Sequence, residues 1–214
     1  MAQRFLPILA GVATLLFGGY FERFLSDDAA GHYLGLYLFV MASTTCIITL
    51  VSFSGAPREI LRKTVVFPTT PWMRFVFVSI AGARSPVMVA FWLAGSFSIG
   101  VLTEGGVAAR ALGVAHFSLL VFFSLVTTTC LLQAMARLKT GPLPLAVVFM
   151  LGLPAMLIMT VVFGLHWEYS VPFLSWIRVG IRSAAAGDID TAVRLLLYAA
   201  GVSVLPVLVG RKVS

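Results

Sequence analysis

Apolar runs of about 20 residues, the length a helix needs to cross the hydrocarbon of a bilayer, recur six times along the chain. They cover 5–21, 33–55, 85–102, 111–133, 143–165 and 192–210 of the 214 residues. The longest pieces between them, 56–84 and 166–191, are each under 30 residues and too short to bury a core of their own. The chain is therefore expected to be one all-α, polytopic transmembrane domain over 1–214. Its composition agrees. Charged residues make up 11%, hydrophobic residues 60% and the mean hydropathy is +1.02, whereas a soluble domain carries about 25% charge. The first run follows Arg4 and has no A-x-A cleavage pattern, so it is read as a span and not a signal peptide. Starting the third run near Trp72 would put Arg84 in hydrocarbon at high cost. Residues 72–83 are therefore expected to be interfacial, with the span beginning after Arg84.

Lysine and arginine orient the spans. With the N-terminus inside, the cytoplasmic pieces hold ten bases (Arg4, Arg58, Arg62, Lys63, Arg74, Arg84, Arg137, Lys139, Arg211, Lys212) and one acid, Glu59. The outer side, counting Arg194 at the start of the last run, holds five bases and seven acids. Six transmembrane helices with both termini cytoplasmic is the expected topology. Orientation and attraction to anionic lipid account for the basic balance, so no nucleic-acid partner is inferred from it. Cys46 and Cys130 each fall inside an apolar run and form no disulfide framework.

Half of the inside bases fall in 56–84. Within it, 57–67 opens on proline and sets Ile60, Leu61, Thr64 and Phe67 along one helical stripe, with Arg58, Arg62 and Lys63 largely elsewhere. A stiff Pro68-Thr69-Thr70-Pro71 turn follows, then Trp72 at the interface. A short amphipathic helix, an elbow and a re-entrant helix would make a lever between the second and third runs. A snorkelling loop on anionic lipid is the plainer reading. On the outer side, His166, Trp167, Tyr169 and Trp176 place polar-tipped rings at the interface. An interfacial or re-entrant helix is expected over 172–186, stopped at Gly187-Asp188, with Asp188 or Asp190 capping the last span.

Two similar clusters, Ser43-Thr44-Thr45-Cys46 and Thr127-Thr128-Thr129-Cys130, lie at similar depth in runs two and four. Such residues pack helices closely, or line a pathway. No P-loop occurs, since Lys63, Lys139 and Lys212 all lack the preceding glycines. No charged residue lies mid-membrane to relay protons, and intramembrane protease motifs are absent. The chain is therefore not read as an enzyme, and no metal or cofactor site is assigned. His32, His116 and His166 all fall toward the outer side, which keeps a haem- or quinone-binding anchor subunit of a redox complex as the alternative.

The order of these features resembles the membrane (permease) subunit of type 2 ABC transporters. It consists of run two, a Glu-bearing amphipathic stretch, Val65-Val66-Phe67-Pro68, a Thr-containing turn, run three, an outer helix, and a last span ending in Arg211-Lys212. The family's frequent Gly-Thr after the glutamate is Ile60-Leu61 here, and only residues 1–4 precede the first run. Haem-exporter permeases of similar size are a neighbouring group. The resemblance implies a permease of the cell (cytoplasmic, inner) membrane that forms its export pathway with a second permease chain, identical or not. Separate ATP-binding cassette ATPase subunits would carry the ATP and Mg. It further implies that Arg58, Glu59, Leu61, Arg62, Lys63, Phe67, Pro68, Pro71 and Trp72 form the coupling contact with the ATPase.

Overall fold

The computed structural model describes residues 30–55, 70–103, 105–137 and 172–213. Among them the chain forms six helices and no strand: α1 (Ala30–Gly55), α2 (Pro71–Ala83), α3 (Pro86–Leu102), α4 (Val107–Arg137), α5 (Pro172–Ala185) and α6 (Ile189–Val213). The expected spans over 5–21 and 143–165, and the amphipathic segment 56–69, lie outside the described residues.

Two helices are long and apolar enough to cross a membrane, over Val107–Met135 and Ile189–Gly210. A third candidate is the pair Phe75–Ala83 and Pro86–Leu102, bent by 61° where the two meet. The apolar stretch of α1, Tyr37–Leu50, is shorter. The described residues thus hold two or three candidate membrane-spanning helices.

The bend between α2 and α3 follows from local chemistry. Arg84 closes α2, its N–H reaching the Ile80 carbonyl at 2.9 Å. Ser85 is extended and caps α3 by accepting from the Met88 N–H at 3.1 Å, and Pro86 occupies the first turn. The residue before a proline is pushed out of the α region, so one helix cannot run through. Arg84 stands exposed at the joint. α2 begins the same way, with Thr70 accepting from the Met73 N–H ahead of Pro71. The second half of the expected proline elbow is therefore a helix cap.

A helix is present over the expected 172–186 segment, as α5, and its end is defined by hydrogen bonds. Gly187 adopts φ +82°, its N–H reaches the Ala184 carbonyl at 3.1 Å, and the Asp188 N–H reaches Ser183 at 2.8 Å. This pattern satisfies the last carbonyls around a left-handed residue. Asp188 then caps α6 by accepting from the Thr191 N–H at 3.2 Å. Asp190 instead pairs with Arg194 one turn on, at 2.6 Å and well exposed.

α4 is the centre of the assembly and packs on α1, α2, α3, α5 and α6. Of its apolar window 56% is buried within the protein, against 17% for α6, which makes α6 a peripheral helix. Leu38, Ile99, Phe117, Leu120 and Ile177 are fully buried at the main core. Outward, α3 shows Leu93, Phe97 and Val101, and α6 shows Leu197, Leu205 and Leu208. Apolar bands of this kind are what a lipid solvent permits and water does not.

Candidate functional site: an apolar cavity between four helices

A cavity of about 440 Å³ opens between α1, α4, α5 and α6. Phe39, Ala42, Ser43 and Cys46 face it from α1, and Leu120, Phe123 and Ser124 from α4. Phe173, Leu174 and Trp176 close it from α5, and Val202 from α6. Its volume is that of a small-molecule site, about 300–1,000 Å³. Phe123 and Phe173 stack across the α4–α5 contact, centroids 4.0 Å apart and planes at 22°. Trp176 is tilted against Tyr198 of α6 at 6.3 Å.

Behind the cavity wall, the buried threonine hydroxyls of α1 and α4 are spent on backbone. Thr45 donates to the Met41 carbonyl at 2.9 Å and Thr49 to Thr45 at 2.7 Å. Thr128 donates to Ser124 at 2.7 Å, and Thr129 to Leu125 at 2.9 Å. The Cys46 thiol crosses from α1 to the Ser124 carbonyl at 3.9 Å. A hydroxyl bonded to the carbonyl four residues back costs little to bury and offers little to a ligand. The wall itself is made mostly of Phe, Leu, Ala, Trp and Val side chains and suits an apolar or amphipathic guest.

The two clusters singled out in the sequence do meet. Thr45, Thr128 and Thr129 are fully buried, Ser43 is buried, and Thr44 and Thr127 are half-buried. Cys46, at the end of the first cluster, reaches Ser124 one turn before Thr128. Only Ser43 of the six lines the cavity; the others pack. The aromatic wall and Ser124 were missed. Phe39, Phe123, Phe173 and Trp176 come from three different helices, and no periodicity within one helix brings them together.

Among the expected coupling residues, Arg58, Glu59, Leu61, Arg62, Lys63, Phe67 and Pro68 lie outside the described residues. Pro71 opens α2. Trp72 is exposed beside it, stacked on Phe75 with centroids 5.6 Å apart. Phe75 itself is buried against Val126 and Cys130 of α4. α2 packs chiefly on α4 and α6, and less on α1 and α3.

Two polar groups sit deeper than the sequence implied. Arg178, assigned to an outer interfacial stretch, is only 5% exposed, while Arg182 one turn on is exposed. Arg178 lies one turn after Leu174, which is also buried, on the packed side of α5, where a long stem is readily buried. His116 is fully buried, and its Nδ1 lies 2.9 Å from the Leu112 carbonyl. A carbonyl only accepts, so Nδ1 carries the proton. Nε2 lies directly over Gly180, where a Cβ would collide with it. An iron atom on Nε2 has no room, so this packing does not fit axial ligation by His116. The His32 side chain and His166 lie outside the described residues.

No protein-family model, curated protein or solved structure matches the chain.

Proposed function

We propose that this chain is the membrane-embedded permease subunit of an ATP-driven export complex in the cell membrane. The observation that carries the proposal is the apolar cavity between α1, α4, α5 and α6, a chamber for an apolar or amphipathic substrate in a chain without a phosphate-binding loop. The charge distribution and the resemblance to type 2 ABC permeases supply the rest. ATP and Mg would be bound by separate ATPase subunits, and a second permease chain would complete the pathway. In this reading the 58–72 segment docks on the ATPase, with Arg58, Arg62 and Lys63 forming charge pairs and Leu61 and Phe67 the apolar anchor. Six spans, both termini cytoplasmic, belong to the same proposal.

Reversing two charges tests it. Arg62→Glu with Lys63→Glu should abolish co-purification of the ATPase and ATP-driven transport while leaving the chain folded in the membrane. Retention of both activities would overturn the coupling role. The haem-anchor alternative predicts a Soret band in the purified protein, and the seating of His116 on Gly180 speaks against it.

A further inference from the structure

α2 ends its contact with α6 in a socket. The Phe75 ring lies so close to Gly210 that a Cβ there would stand 2.6 Å from two ring atoms and 3.0 Å from the Cys130 sulfur. No residue other than glycine admits the ring in this seat. Phe75 is 2% exposed, and with Val126, Cys130, Val76 and Val207 it forms a small core apart from the main one. One turn before Gly210, α6 contains Pro206. Proline has no N–H for the Val202 carbonyl, so the helical ladder lacks a bond at that point. The Cys130 thiol donates to the Pro206 carbonyl at 2.8 Å and ties the weak point to α4. Val202, at the other end of the missing bond, lines the cavity.

We propose that the Phe75–Gly210 socket and the Pro206 break form a lever through which movement of α2 changes the width of the cavity at Val202. A helix bends where its ladder is interrupted. The N-terminal half of α6 is held, with Ala192 and Ala199 fully buried, and its C-terminal end is gripped by Phe75. Pushing the gripped end while the other is fixed bends α6 at the missing bond, and residues 202–206 are the part displaced. The 61° joint at Arg84–Pro86 lets α2 move without dragging α3. The lever rests on the export reading only for what drives α2.

Cys46 reports on the cavity directly, since it lines the wall and is one of only two cysteines in the chain. With Cys130→Ser as the parent, whose hydroxyl can still donate to Pro206, Cys46 is the sole thiol. The full-length chain in lipid nanodiscs is alkylated with N-ethylmaleimide, and rates are compared among variants of native helicity. Phe75→Leu shortens the wedge and Gly210→Ala drives it out, so the two perturb the socket in different ways. Each should change the Cys46 rate by about threefold or more, within the range of couplings carried through packed networks. In a Pro206→Ala background, with the ladder restored, either change should fall below about twofold. Equal Cys46 rates in the parent and both socket variants would overturn the lever, as would undiminished effects in the Pro206→Ala background. The assay needs no ATPase, so its failure leaves the export reading standing, and the absence of an ATPase partner leaves the lever standing.

Discussion

Gly180 has no side chain because the His116 ring occupies the space one would need. Gly180→Ala should force α4 and α5 apart and lower the stability by about 1–3 kcal/mol, as overpacking does. A lower thermal midpoint in detergent checks this, with Gly180→Val lower still. Gly187 differs in kind, since nothing crowds it and its φ of +82° is the constraint. Gly187→Ala should cost about 1–2 kcal/mol through backbone strain alone, read by the same melt. Asp188, next in the chain, has its carboxyl held below the usual range by hydrogen bonds from Thr191. A depressed folded value means the cap stabilises above the ordinary carboxylate range and is lost as pH falls through the folded value. Asp188→Ala should therefore lower the melting midpoint near neutral pH, and the difference from the parent should shrink as the medium is acidified below that range. A constant difference across that pH range would contradict the capping role. The Gly187-Asp188 stop was legible in the sequence because capping is local chemistry. The seat of His116 was not, because it depends on a glycine 64 residues away.

At the scale of elements, helix ends were readable and helix partners were not. Thr70 and Ser85 cap helices that begin at Pro71 and Pro86, where the sequence had shown a proline turn and a span starting after Arg84. The helix at Pro172–Ala185 was legible as a segment expected over 172–186. Which helix α2 grips was hidden. In lipid both the packed and the exposed faces are apolar, so periodicity gives no direction to the contact. For the same reason the two Ser/Thr clusters were visible as small, packable patches, while the aromatic wall of the cavity was not. Filling that cavity tests the export proposal: if it holds, Ser124→Phe should place a ring in the cavity and abolish ATP-driven transport, while ATP hydrolysis by the proposed ATPase subunit persists. Unimpaired transport by the variant would show that the substrate does not use the cavity.

For the whole molecule, the proposed topology, with the basic pieces inside, makes a prediction that labelling can check. With Cys46 and Cys130 both buried, a cysteine introduced at exposed Gly187 should react with an impermeant maleimide added outside intact cells. One introduced at exposed Arg84 should react only after the membrane is opened. The reverse pattern would overturn the proposed topology. The central claim, that this chain works as the permease of an ATP-driven exporter, meets its most direct test in its partner. The full-length chain is to be purified from its native membrane in mild detergent and its stoichiometric companions sequenced. The account predicts an ATPase bearing a Walker A motif, whose ATP hydrolysis is lost from the complex when Arg62 and Lys63 are both changed to glutamate. A chain that purifies without any ATPase, or with one indifferent to those two residues, would contradict it.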